Sequence, residues 1–190
     1  LYADARELVP VAPSRDDAHT RFIGAVHRSP PAPLPPAVLA ADDRPLVYVA
    51  LGSSGDPALV RHVASAAASL GCRVAVATGG KLDAHALPAG TIAAPFLPGD
   101  QLARRAALVV CNGGSPAVQQ ALTAGVPVLG LPANLDQLLN MHFTVRSRAG
   151  LAVRPERATV ARLRAACERL LHAADLRQGA RAAQAAYARY

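Results

Sequence analysis

The residues best suited to chemistry lie in one short turn, Asn112-Gly113-Gly114-Ser115. An apolar run over Ala106–Val110 leads into it through Cys111, and a helix-like run starts directly after it at Pro116. Two adjacent glycines let a backbone come close to a ligand, and a helix beginning there aims its unpaired N–H groups at the same point. Pro116 suits a first helical turn, where its missing N–H would have no intrahelical partner. The occupant this arrangement favours is a phosphate or diphosphate. Candidate donors are the backbone N–H groups of Gly114 and Ser115, the Ser115 hydroxyl and the Asn112 amide. A second turn of the same kind, Gly52-Ser53-Ser54-Gly55-Asp56, follows the apolar run Leu46–Leu51 and precedes a helix opening at Pro57. It lacks the full GxGxxG pattern, which argues against a nicotinamide dinucleotide. Taken alone, it is equally well read as an ordinary strand-to-helix turn.

Such turns need strands and helices to hold them. Continuous apolar runs at Leu46–Leu51, Cys72–Thr78, Ala106–Val110 and Val126–Leu131 read as strands buried on both faces of a parallel sheet. Short strands are expected at Thr91–Ala94 and Leu151–Val153. Between them fall helices from Pro57 to about Leu70, from Gly99-Asp100 with Asp100 as N-cap, from Pro116 to Ala124, from Asn134 to Arg148, and from Thr159. The fold class is therefore α/β: a doubly wound, mostly parallel sheet with helices on both faces. Both glycine turns and the Phe96-Leu97 loop fall at carboxyl ends of strands, where such sheets bind ligands. Ahead of the sheet, Arg21–Val26 could form a short strand, and Ser29–Pro36 reads as a stiff linker. A final Arg- and Ala-rich helix is expected over Asp175–Tyr190.

The stretch from Leu108 to Asn140 resembles the donor-sugar signature of GT-B glycosyltransferases of the macrolide and plant UDP-glycosyltransferase group. That signature runs His-Gly-Gly-x-Gly-Thr-x-x-Glu-Ala-Leu, then Gly-Val-Pro, Pro and Asp-Gln, with an Asn shortly after. Gly113, Gly114, Ala121, Leu122, Gly125, Val126, Pro127, Pro132, Asp136, Gln137 and Asn140 match it in order. The resemblance implies a Rossmann-like second half of a GT-B fold. Residues 1–44 would be interdomain linker and edge segment, residues 45–174 the nucleotide-sugar donor domain, and residues 175–190 a C-terminal helix that is exposed or docks elsewhere. The amino-terminal acceptor domain is not recognisable in the chain.

The resemblance also assigns roles. Ser53, Ser54, Asn112, Gly113, Gly114 and Ser115 would surround the donor diphosphate. Phe96 and Leu97 would border the base, although Phe96 reads equally as a core residue. Gln120 takes the ribose-binding position, and Asp136 with Gln137 the donor-sugar position; helix capping is the other reading of that pair. The activity implied is inverting transfer from a UDP- or dTDP-sugar to the hydroxyl of an unknown small-molecule acceptor, with no metal or other cofactor required. The base is usually a His of the first domain. None of His19, His27, His62, His85, His142 or His172 sits in a base-like context, so no catalytic residue is assigned. Four positions depart from the signature: Asn112 for His, Pro116 for Gly, Ala117 for Thr and Gln120 for Glu. They remove a positive charge, a backbone donor, a hydroxyl and a carboxylate. A weaker or altered donor site is expected, and a non-catalytic nucleotide-sugar-binding or partner-binding protein of the same fold stands as the alternative.

Composition narrows the rest. Hydrophobic residues make up 52% and charged residues 17%, which excludes a disordered chain. The net charge of +7 is carried mostly by arginines without interleaved aromatics, so nucleic acid is not an expected partner. Cys72, Cys111 and Cys167 have no metal spacing and read as free thiols of a reducing cytoplasm. No apolar run reaches the length of a membrane span. A surface that normally meets another domain could drive homodimer formation.

Overall fold

A computed structural model describes residues 1–9, 20–29, 31–52 and 56–190. Six strands form one sheet: β1 Leu46–Ala50, β2 Arg73–Ala77, β3 Ile92–Ala94, β4 Leu108–Cys111, β5 Val128–Gly130 and β6 Gly150–Ala152. Their order is β3-β2-β1-β4-β5-β6, and every pairing is parallel. The central strands are apolar throughout because both faces are covered. Val47, Val49, Leu108 and Val110 point to one face, while Tyr48, Val109 and Cys111 point to the other.

The described residues also form seven α-helices: α1 Pro36–Leu39, α2 Pro57–Ala68, α3 Gly99–Ala103, α4 Ser115–Thr123, α5 Leu135–Arg146, α6 Val160–His172 and α7 Ala174–Tyr187. α2 and α6 cover the first face through Val60, Val63, Leu163, Cys167 and Leu170. α3, α4, α5 and α7 cover the second through Leu102, Val118, Leu122, Met141, Ala180 and Ala183. Caps set several starts, with Asp56 accepting from Ala58 N–H and Thr159 from Arg162 N–H. The final helix is not left exposed: Ala180, Ala183, Ala186 and Tyr187 are buried.

Two local expectations fail. Arg21–Val26 is not a strand; Phe22 makes one isolated parallel bridge to Tyr2, and the segment runs beside α4 outside the sheet. Asp100 is not an N-cap, because Pro98 takes that place and α3 starts two residues earlier. Asp100 instead pairs with Arg104 at 3.2 Å.

The segment ahead of the sheet is fastened to this domain. Gln119 on α4 is buried, donates to Ala3 C=O at 2.6 Å and accepts from Val26 N–H at 2.9 Å. Tyr187 on α7 donates to the Asp4 carboxylate at 2.7 Å, and Arg6 N–H donates to the Tyr190 hydroxyl at 3.2 Å. Residues 1–9 and 20–29 thus lie along α4 and α7.

The order reverses between β1 and β4: the chain moves outward to β2 and β3, then returns to add β4 beside β1. Loops leaving the carboxyl ends of these two strands diverge to opposite faces and open a crevice. Register places Ala50 level with Cys111, so both loops start at the same height.

Candidate functional site

The turn from β4 into α4 is tightly wound. Gly113 has φ +84°, a left-handed conformation that favours glycine, and its N–H donates to the Cys111 sulfur at 3.3 Å. Asn112 Oδ1 accepts from Gly114 N–H at 3.0 Å, closing an Asx turn. The Gly114 donor expected to face a ligand is therefore used inside the turn. Gly114 is the N-cap of α4, Pro116 brings no N–H, and Val118 N–H already bonds Gly114 C=O. That leaves the N–H groups of Ser115 and Ala117, with the Ser115 hydroxyl, at the head of the helix. The Asn112 side-chain nitrogen faces the other loop, 3.3 Å from where a Cβ on Gly52 would stand. Gly52 itself has φ +69°. Asn112 thus lies close to Gly52 across the crevice. Ser53 and Ser54 lie outside the described residues.

α5 closes one side of the turn. Its start is fixed reciprocally: Asn134 Oδ1 accepts from Gln137 N–H at 3.0 Å, and Gln137 Oε1 accepts from Ala133 N–H at 2.9 Å. The expected donor-sugar pair is thereby split. Asp136 is exposed in the first helical turn, whereas Gln137 is buried and its side-chain oxygen serves as a cap. Asn140 donates to Gly113 C=O at 3.2 Å and lies 3.5 Å from Asp136 Oδ2. One amide thus ties the glycine turn to the exposed carboxylate. Asn140 belongs to the signature, but its spacing gave no hint of this structural task.

The Phe96-Leu97 loop also divides. Phe96 is 66% exposed at the carboxyl end of β3, while the Leu97 side chain is in the core and can offer a ligand only backbone groups. Gln120 is buried, and its amide donates to the Ser29 hydroxyl at 3.2 Å and to Arg28 C=O at 3.4 Å. The Ser29 hydroxyl also accepts from Asp100 N–H at 2.9 Å. Gln120 is thus engaged by the segment ahead of the sheet, a partner that its place in the signature did not foretell. Beneath these groups, burial pushes the Tyr48 phenol up to about 12, with Cys111 and Asp100 adding to the shift.

A family model described as "Erythromycin biosynthesis protein CIII-like, C-terminal domain" matches residues 61–189. The chain belongs to that family. A PGL/p-HBAD biosynthesis glycosyltransferase of Mycobacterium tuberculosis is 45% identical over 183 residues, covering 95% of this chain and 42% of that protein. A PGL/p-HBAD biosynthesis rhamnosyltransferase of Mycobacterium bovis is 43% identical over 182 residues, covering 95% and 40%. The chain thus spans less than half the length of these relatives. Among solved structures, the calicheamicin glycosyltransferase CalG4 superposes with TM-score 0.80 at 24% identity, covering 98% of this chain and 47% of its own. The spinosyn rhamnosyltransferase SpnG, complexed with thymidine diphosphate, gives 0.78 at 20% identity, covering 93% and 50%. The fold is that of the carboxyl-terminal domain of a GT-B glycosyltransferase.

In this CIII-like domain two of the described histidines have hydrogen-bond partners. His27 shares a hydrogen bond with the Thr123 hydroxyl at 3.4 Å, and His62 one with Ala158 C=O at 3.2 Å. His85, His142 and His172 are exposed, and His19 lies outside the described residues. Among the described residues no group of three His, Cys, Asp or Glu side chains could hold a metal ion. No helix there is long and apolar enough to cross a membrane.

Proposed function

We propose that the chain is the donor-binding half of an inverting glycosyltransferase that transfers a sugar from a UDP- or dTDP-sugar to an acceptor hydroxyl. The observation that carries this reading is the approach of Asn112 to Gly52 at the reversal of strand order, where the glycine turn after β4 opens into α4. The diphosphate would lie against the Ser115 and Ala117 N–H groups and the Ser115 hydroxyl, with Gly52 across the crevice. There the α4 dipole favours negative charge. The exposed Phe96 ring would cover the base. Asp136, held by Asn140, would accept hydrogen bonds from the sugar hydroxyls.

The Gln120 amide is occupied by Ser29 and lacks the charge of a carboxylate, so it offers little to a ribose 2′-hydroxyl. That supports a thymidine nucleotide over a uridine one. The complexes of SpnG and of the glycosyltransferase VinC with thymidine diphosphate agree in kind. In transfer, the acceptor oxygen attacks the anomeric carbon as the bond to the diphosphate breaks. A base outside this chain takes the acceptor proton, and the departing charge is received by donors already in place at α4. No metal is assigned a part, and a cytoplasmic site of action follows from the nucleotide-sugar substrate.

Titration calorimetry with dTDP, UDP and dTDP-rhamnose tests the reading. Tightest binding of the thymidine compounds is expected, with Gly114→Val weakening all three and Asp136→Ala weakening only the nucleotide sugar. Absence of heat with every nucleotide overturns it. The spent Gly114 donor and the proline at position 116 favour a second reading, a nucleotide-sugar-binding domain without transfer. Binding without turnover after fusion to a relative's amino-terminal half would select that one.

A further inference from the structure

The solvent side of α5 is unusually apolar. Leu135 is 81% exposed, Leu139 51%, Val145 40% and Leu138 37%, spaced so that they make one stripe along the helix. Beside the stripe, Leu138, Val145, Arg146 and Ala152 line a depression between α5 and the edge strand β6. Ala152 also lines the next depression, walled by Arg154, Arg157 and Arg162 together with Glu156. The two hollows therefore form one continuous surface around the end of β6. Four arginines stand against one glutamate there. Among the described residues none of the four is ion-paired, unlike Arg104 and Arg164.

Contiguous exposed apolar surface marks an interaction site, and its neighbours indicate the partner. A second copy of this chain would bring the arginine cluster against its own image or leave it unmatched, at a cost in repulsion. A surface of anionic headgroups over acyl chains answers both features: guanidinium groups meet phosphates, and leucines enter the headgroup boundary. We propose that the α5 stripe and the arginines around β6 dock this protein on an anionic lipid surface. The arginines lie around β6, two strands from β4, while the stripe runs along α5, whose first turn also carries Asp136 beside the glycine turn. The docking surface stands whether or not the nucleotide-sugar reading does.

Co-sedimentation with vesicles tests it, using phosphatidylcholine alone and an equimolar mixture with phosphatidylglycerol. The chain is expected to bind the mixed vesicles and not the neutral ones, with binding falling as salt rises. Each arginine near such a surface contributes about fivefold in partitioning, so Arg154→Glu with Arg157→Glu lowers binding at least about 25-fold. Leu138→Ser with Leu139→Ser lowers it at least about tenfold. Arg169→Glu with Arg181→Glu makes the same charge change elsewhere and retains binding well above the first pair. Thermal melting confirms that each variant is folded. Three results overturn the proposal: no binding to mixed vesicles, equal loss from both arginine pairs, or a dimer that Leu138→Ser with Leu139→Ser dissociates while vesicle binding is unchanged.

Discussion

Replacing Gly113 by alanine tests how the glycine turn is built. A Cβ at Gly113 would stand 2.7 Å from Met141 Cγ and 3.1 Å from the Gln137 carbonyl oxygen. Comfortable carbon contacts lie near 3.5–4.0 Å, so α5 or the turn must yield by about 1 Å. Met141 cannot simply swing aside, because its far end fills the space left by Gly130, where a Cβ would lie 2.4 Å from its sulfur. The left-handed backbone at position 113 costs alanine about 1–2 kcal/mol, and overpacking at a buried contact about 1–3 kcal/mol. The sum, about 2–5 kcal/mol, is a large part of the stability of a domain this size. Urea unfolding measures it. Adding Met141→Ala should return about 1–3 kcal/mol relative to additivity, because the clash vanishes while the backbone strain remains. Calorimetry with dTDP should show at least about tenfold weaker binding, the loss of roughly one charge-assisted hydrogen bond at the displaced turn. A cost of Gly113→Ala below about 0.5 kcal/mol, or strict additivity with Met141→Ala, would refute the packing argument.

Further outcomes follow from the same contacts. Pro116→Ala restores a donor at the head of α4 worth about 1.5–3 kcal/mol to a bound anion, so dTDP should bind at least about tenfold tighter, while the lost chain stiffening lowers folding stability by about 0.4–1 kcal/mol. Unchanged affinity would mean that α4 does not face the anion. Gln119→Leu removes the bonds to Ala3 C=O and Val26 N–H, both only partly buried, at about 0.5–1.5 kcal/mol each. Hydrogen exchange should then quicken in residues 1–9 and 20–29 and leave β1 and β4 protected. Burial, opposed by Asp100 and aided by Arg104, holds the His27 imidazole below its ordinary 6.5. Its neutral form is favoured on folding, so its contribution is complete above pH 6.5 and lost as pH falls through the lowered value. His27→Gln should therefore flatten the decline in Tm between pH 7 and pH 5. Burial pushes the Cys111 thiol up to about 11 and Cys167 to about 12, and raises Cys72 as well. At pH 8 fewer than about one in a thousand Cys111 thiols is ionised. Ellman's reagent should react with none of the three before unfolding, and stoichiometric reaction with the folded chain would contradict their burial.

The sheet was legible because β1, β2, β4 and β5 are covered on both sides, and such strands have to be apolar without interruption. The glycine turns were legible because only a few residue types permit their conformations. Side-chain direction was not. Asn112, Gln120 and Gln137 each carry an amide at a position the signature marks for a ligand, yet each turns at least one polar atom toward the protein. Which way an amide points depends on what α5 and residues 28–29 bring to it, and no local spacing encodes that. Arg21–Val26 failed as a strand for a related reason. Its apolar residues suit an extended chain, but the sheet edges belong to β3 and β6. Gln119 went unnoticed because a glutamine in a helix reads as a solvated face until a second segment is laid over it.

The fastening of residues 1–9 and 20–29 to α4 and α7 determines where such proteins can be recombined. The proline-rich stretch after Ser29 looks like a natural seam for exchanging donor halves between relatives. A cut there would strip the graft of Asp4 and Val26 and leave Tyr187 and Gln119 without their bonds. A chimera joined ahead of Tyr2 carries its own strap and should yield soluble protein where the later junction does not.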